Sequence, residues 1–431
     1  MTERTYTDKL KAGEKAVVQG WAEKTRDLGG LTFLTLRDRE GSVQVTAKKG
    51  REPEEIFRMI AGITRESCVR VTGNVHEAKS APGGIEIIPV KVELVTKAET
   101  PLPMDIVGKI ETNIDTRFDY RYLDIRNPKT TAVFRIKSEV LYATRECFRK
   151  WGFIDVQTAV IQAAGAEGGS TLFPVIYYQK EAFLRQSPQL YKQMLMASGL
   201  DRVCEIGPVF RAEKFHTTRH VSEFTSIDGE MAWIESEEDN LKFLENLMHD
   251  VMKHIKQACA KELKLLGQEI IVPKLPFPRL NYEECLKILN EHGENLKFGD
   301  DMADVQEKKL GEIMAKKGHE WYFITKFPSE SKPFYIMYDG KVSRGYDMDW
   351  KGLEMCSGGQ REHRFEKLKD NLRSKGLDPE KFTFYTDAFR YGIAPHGGFG
   401  IGLDRLVQKI CGLDNVKEAI MFPRTPERMA P

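Results

Sequence analysis

HGGFGIGLDRLVQKI, residues 396–410, reads as a glycine-rich strand running straight into an amphipathic helix. It superficially matches a dinucleotide fingerprint. That fingerprint, however, opens a βαβ unit and needs a third glycine and an acidic residue about 20 positions further on. Here Gly400 and Gly402 are followed at once by Asp404 and Arg405 near the end of the chain. A Rossmann reading therefore fails. No P-loop motif occurs either, so any nucleotide site must be of another kind.

Two further patches lie upstream. FRAEKFHTTRHVSEFTSIDGEMAW, residues 210–233, puts a strand ending at Phe210-Arg211 before a polar loop with Lys214, His216, Arg219 and His220, and a returning strand begins near Phe224. Taken alone it is equally a charged surface hairpin. GLEMCSGGQREHR, residues 352–364, carries a Gly-Gly pair that lets backbone approach a ligand closely. Arg361 beside it has the planar fork that grips a carboxylate through two hydrogen bonds.

Working outward, residues 15–95 hold five β-rich runs, at 15–21, 31–37, 42–47, 68–75 and 86–94, separated by RDLGG, RDREG and SAPGG turns. A stretch with helical spacing, 54–63, falls between the third and fourth. Five strands with that helix is the order of an OB-fold, a barrel that often binds single-stranded nucleic acid, although other small β-barrels share the pattern. Residues 104–128 read as a linker that packs on something, and a long amphipathic helix follows from about 129 to 150. The remainder mixes strands (203–210, 321–325, 334–337) with helices near 238–265 and 362–375, which is α+β and not a βαβ alternation. The expected division is a barrel at 1–103, the linker at 104–128 and an α+β domain with an antiparallel sheet at 129–431.

The 431 residues, 41% hydrophobic and 30% charged, describe an ordinary globular protein of more than one domain. No apolar run approaches the roughly 18 residues of a membrane span, and the N-terminus lacks a signal-peptide core, so the chain is expected to stay in the cytoplasm with no membrane partner. Seven scattered cysteines without a CxxC point to reduced thiols and away from a zinc site. A net charge of +1 neither suggests nor excludes nucleic acid, because only the field near the phosphates matters.

Together the three patches resemble the signature of class II aminoacyl-tRNA synthetases. Phe210-Arg211-x-Glu213 with Arg219-His220 and Phe224 is similar to motif 2, GIGLDRL to motif 3, and the 129–160 helix-plus-strand sits where motif 1 belongs. QSPQLYKQ (186–193), AEGGSTLFP (166–174), SGGQREHR (357–364) and the MFPR ending (421–424) resemble aspartyl-tRNA synthetases of the archaeal and eukaryotic type.

The resemblance implies ATP-dependent activation of L-aspartate with Mg²⁺, transfer to tRNA-Asp, and a homodimer. Arg211 would hold the α-phosphate and the substrate α-carboxylate. Glu213 would accept from the adenine amino group, Phe224 would stack on the base, and Arg219, His220, Glu354 and Arg405 would complete the ATP site. Asp347, Glu354 and Ser357 would hold Mg²⁺. Lys192 and Arg361 would pair with the aspartate side chain, oriented by Asp228, while Ser187, Gln189 and Glu167 would line the α-amino side. In the barrel, Phe33, Gln44 and Glu86 match positions that read anticodon bases. A surface lysine is the plain alternative for Lys192, and a core aromatic for Phe33.

Three features depart from the family pattern or leave a choice open. Ala159 stands where motif 1 normally ends in proline, and Cys356 replaces the more usual serine. Asparaginyl-tRNA synthetase is the nearest rival, but its pocket has no need of a lysine at 192; an inactive RNA-binding paralogue is the rival from another class. Pro82 is similar to relatives that charge both tRNA-Asp and tRNA-Asn, whereas Glu23 is similar to neither the strict nor the relaxed group, so the reading leans towards relaxed.

Overall fold

The computed structural model describes residues 3–108, 110–163, 172–213 and 221–431. The chain divides into two compact units, 1–105 and 106–431.

In the first unit, strands Lys15–Asp27, Leu31–Arg37, Ser42–Lys48, Cys68–Glu77 and Ile85–Thr96 close into a barrel, with helix Glu54–Gly62 between the third and fourth. Alternation decides which side chains fill it. Leu34, Leu36, Val43, Val45 and Ala47 point inward with Val18, Val71 and Ile87. Phe33, Thr35, Gln44 and Thr46 therefore face outward. Gly73 is required where the barrel strands pinch together, since a Cβ there would meet the Ile88 carbonyl oxygen at 2.4 Å.

The second unit is built on an eight-stranded sheet. Across it run Arg279–Asn281, Trp321–Thr325, Gly345–Trp350, Glu354–Gln360, His396–Gly402, Glu223–Ala232, Arg202–Phe210 and Ile154–Asp155. All neighbours are antiparallel except the two outermost pairs. One face is apolar: Ile227, Met231, Tyr346, Met348, Trp350, Phe399 and Ile401 pack against helices Pro128–Lys150 and Glu238–Ala258. Phe399 stacks on Phe148 and Phe243 there. The other face carries the alternate residues, Ser226, Asp228 and Glu230, Asp347 and Asp349, and the glycines 398, 400 and 402.

Of the expected linker, residues 106–128 belong to the second unit. Helices Ile114–Asp119 and Arg121–Asp124 form within them. The buried Arg121 guanidinium pairs with Asp124 and donates to the carbonyls of Glu418, Ile420 and Met421. The 334–337 stretch, expected as a strand, is instead a turn. Pro333 starts it, its carbonyl accepts from Ile336 N, and only Ile336 bridges to Arg361. Its continuous apolar character reflects burial against helix Phe365–Ser374, not a sheet.

Gly398 is the tightest point of the polar face: a Cβ would lie 2.0 Å from Glu230 Oε2 and 2.2 Å from the Gly229 carbonyl oxygen. Because backbone blocks retreat on one side, Gly398→Ala is expected to cost about 1–3 kcal/mol or more through overpacking. Denaturant melts compared with Gly400→Ala, where the nearest atom is 3.3 Å away, check this.

Candidate active site

A cleft of about 550 Å³ opens over the polar face of the sheet. Its walls include Ser187, Gln189, Arg211, Glu213, Phe224, Asp228, Glu354, Ser357, Arg361 and Arg405, ten of the residues proposed from sequence. Glu167, Arg219 and His220 lie outside the described residues. All three motif segments meet at Asp404. Its carboxylate accepts from Lys137 Nζ at 2.5 Å, on the long helix, and from Thr225 N at 2.8 Å, on the returning strand.

Asp228 and Arg361 line the floor, and behind them Lys192 and Glu230 complete a buried cluster of four charges. Lys192 is no surface lysine. It is 2% exposed and its Nζ donates to Asp228 Oδ1 at 2.8 Å and to the Phe399 carbonyl at 2.7 Å. Ser226 Oγ donates to the other Asp228 oxygen at 2.5 Å. Arg361 donates through Nε and Nη2 to both oxygens of Glu230, at 2.9 and 3.1 Å, and through Nη2 to Gln189 Oε1 at 3.4 Å. Asp228 thus positions Lys192 alone, and Glu230 positions Arg361. Glu230 also lies 3.7 Å from Lys192. Burial would raise the Glu230 carboxyl, but Arg361 and Lys192 outweigh it and hold it below the usual carboxylate range. Burial works against the Arg361 charge, and Glu230 overcomes it, leaving the guanidinium more firmly protonated than usual.

Sequence reading missed Glu230, although the signal was there. Phe224, Ser226, Asp228 and Glu230 fall at every second position of one strand, so all four share a face. Two donors at this floor are uncommitted. Arg361 Nη1 makes no hydrogen bond to a described residue, and Gln189 Nε2 is buried without one. Leaving a buried donor unmade costs roughly 1–3 kcal/mol, so the floor is built for a ligand bearing acceptors.

Further along, Asp347 and Ser357 are directly opposed on neighbouring strands. Burial, and then the charge of Asp347, push the Glu354 carboxyl up. Arg405 donates to the Glu354 backbone carbonyl at 3.0 Å, and the Arg211 guanidinium lies 5.4 Å from the Phe224 ring centre. Among the described residues no three His, Cys, Asp or Glu side chains are arranged to hold a metal by themselves.

On the barrel, Gln44 and Glu86 are register partners. Glu86 Oε2 accepts from Gln44 Nε2 at 3.2 Å and from Thr46 Oγ at 2.5 Å. Phe33 pairs with Thr46 on the adjacent strand and lies on the outer surface, apart from the core. Pro82 begins a short turn of 3-10 helix, Pro82–Gly84, before the fifth strand. These four share one side of the barrel or its rim.

Comparison with known proteins places this sheet and cleft in a class of tRNA-charging enzymes. A model of class II tRNA synthetases (D, K and N) matches residues 113–426, and one of the OB-fold nucleic acid binding domain matches 16–95. The chain belongs to this class II synthetase family. It is 49% identical, over 97% of both chains, to the aspartate–tRNA(Asp) ligase of Pyrococcus abyssi. It is 46% identical to the aspartate–tRNA(Asp/Asn) ligase of Methanopyrus kandleri, over 97% of this chain and 96% of that one. The asparaginyl-tRNA synthetase of Pyrococcus horikoshii, solved with asparaginyl-adenylate, superposes with a TM-score of 0.94 at 33% identity and full coverage of both chains.

His396, fully buried beside this floor, offers a pH test. Burial lowers its pKa to about 4, against a smaller opposing pull from Glu230. A base whose pKa is depressed by folding binds its proton more readily unfolded. Its stabilisation is therefore full above about pH 6.5 and drains away as pH falls towards 4. His396→Asn should narrow the gap in melting temperature between pH 7 and pH 5. An unchanged gap would show that the imidazole titrates normally.

Proposed function

We propose that this chain activates L-aspartate with ATP, forming aspartyl-adenylate and pyrophosphate, and transfers the aspartyl group to the 3′ end of tRNA-Asp and also of tRNA-Asn. The observation that carries the reading is the floor of the cleft, where two buried cations converge beside uncommitted donors. A desolvated side-chain carboxylate is costly unless paired, and Lys192 with Arg361 supplies that pairing. Asparagine would bring a neutral amide, so the donors that Lys192 and Arg361 still have open would lose the charge-assisted hydrogen bonds that an aspartate carboxylate supplies. The names of the aspartate ligase relatives support the same choice.

Activation brings two anions together, so catalysis is positioning plus electrostatic stabilisation. Arg211 would grip the α-phosphate and the attacking carboxylate, with Glu213 and Phe224 holding adenine and Arg405 covering its other face; all four line the same cleft. Asp347, Glu354 and Ser357 would offer hard oxygens to Mg²⁺. The crowding of Asp347 against Glu354 is the repulsion that a divalent cation relieves. When bound, Mg²⁺ would neutralise phosphate charge; the chain's own part is to hold ATP against the amino acid. A homodimer through the long helix and the 154–160 segment, a cytoplasmic location, and anticodon reading by Phe33, Gln44, Glu86 and Pro82 belong to the same proposal.

Aspartate-dependent exchange of pyrophosphate into ATP is the direct test. Lys192→Met and Arg361→Leu should each raise the aspartate KM by 100-fold or more, in line with about 3–5 kcal/mol for a broken buried pair, while ATP still binds. Normal saturation by aspartate in either variant removes that residue from the pocket.

Gln44→Ala should lower charging of tRNA-Asp by roughly 1–3 kcal/mol and leave tRNA-independent exchange intact. Side-by-side charging of purified tRNA-Asp and tRNA-Asn decides the second acceptor; no product on tRNA-Asn restricts the proposal to tRNA-Asp.

A further inference from the structure

Lys332 lines the cleft and was not among the residues singled out from sequence. Its Nζ lies 3.0 and 2.9 Å from the two oxygens of Asp347, and both side chains are largely buried. The geometry is built, not incidental. The ammonium sits 3.8 Å from the centre of the Phe327 ring. The stem crosses Gly345, where a Cβ would already touch Cγ, Cδ and Cε at 3.1–3.2 Å. Tyr338 OH bonds the carbonyls of Lys332 and Pro333 at 3.0 and 3.1 Å, fixing the backbone from which the side chain reaches.

We propose that Lys332 is a built-in counter-ion that competes with the divalent cation for Asp347, so that metal enters only as the ammonium leaves. The inference rests on the reading of Asp347 and Glu354 as metal ligands. A Mg²⁺ ion approaches a carboxylate oxygen to about 2.0–2.1 Å and carries two charges, so it cannot share both oxygens with an ammonium already in contact. In the free protein Lys332 relieves the repulsion between Asp347 and Glu354. The same pairing weakens metal binding until other anions enter the cleft. Nucleotide phosphates are such anions, and they would bring the ion with them and offset the loss of the lysine pair. Lys332 is a positioning residue in this role: it sets the order in which charge is assembled.

The test is direct titration of nucleotide-free, full-length protein with Mn²⁺, followed by electron paramagnetic resonance of the free ion. Lys332→Met should bind Mn²⁺ about tenfold more tightly than the parent, because one positive charge in contact with the ligand is gone. Lys332→Gln, which keeps a polar group of similar reach, should move the same way and guards against a folding defect in the first variant. Lys332→Arg should stay near the parent. Adding Glu354→Gln to the parent or to Lys332→Met should weaken binding. Equal, weaker or unmeasurable binding in both neutral variants, with Glu354→Gln still weakening the parent, overturns the competition and leaves the metal site standing. Binding that ignores Glu354→Gln in both backgrounds overturns the metal reading and the competition together.

Discussion

The bidentate contact between Arg361 and Glu230 is possible only because the strand between them has no side chain in the way. Arg361 follows the 354–360 strand, Glu230 sits on the 223–232 strand, and Gly398 passes between. The Glu230 carboxylate occupies the volume a Cβ at 398 would take. Two opposite charges can then meet across a central strand, out of water, with the Nε–Nη2 edge of the guanidinium aligned on both carboxylate oxygens. Burying four charges costs several kcal/mol each unless partners are well placed, and here every charge has a partner at contact distance or just beyond. The glycines of HGGFGIG serve this approach, and none of those in the strand has a positive φ.

The same strands separate two kinds of chemistry by their period of two. Tyr346, Met348 and Trp350 enter the apolar core on one face, while Asp347 and Asp349 stand on the other. Burial together with Glu354 and Asp347 pushes Asp349 well above the ordinary carboxylate range, so acidity is graded across a few ångströms. The amino-acid end of the cleft is balanced by permanent cations. At the Glu354 end, carboxylates face a lysine that a metal can replace. On the proposed reading, one sheet holds ion-paired cations with donors left over for a carboxylate and an exchangeable lysine beside the phosphates.

Most of the architecture was legible in the sequence, for identifiable reasons. Two of the barrel strands, Leu31–Arg37 and Cys68–Glu77, alternate between buried and more exposed residues over most of their length. The 396–410 strand and helix announce themselves by glycines followed by an amphipathic run, and the observed break falls between Gly402 and Leu403. The 334–337 run misled because a buried turn and a buried strand share continuous apolar character, and periodicity cannot separate them. Lys192 was legible as a pocket residue only through its neighbours QSPQ. Its seclusion depends on Asp228 and Phe399, which lie 36 and 207 positions away. Glu230 and Lys332 stayed hidden for the same reason: each is an ordinary charged residue until a distant glycine, 398 or 345, lets it reach its partner.

Lys192, Arg361 and Lys332 are each held by a carboxylate of the chain itself, Asp228, Glu230 and Asp347. The partners differ in what they leave open. Glu230 takes Nε and Nη2 of Arg361 and leaves Nη1, while Asp228 and the Phe399 carbonyl take two protons of an ammonium that has three to give. An incoming carboxylate therefore adds to these pairs and does not break them. Asp347 is the opposite case, since Lys332 spans both of its oxygens and a ligand-borne metal must displace it. Recognition of the amino acid is additive and assembly of the phosphate site is competitive. The difference follows from how many lone pairs and protons each ion pair uses up.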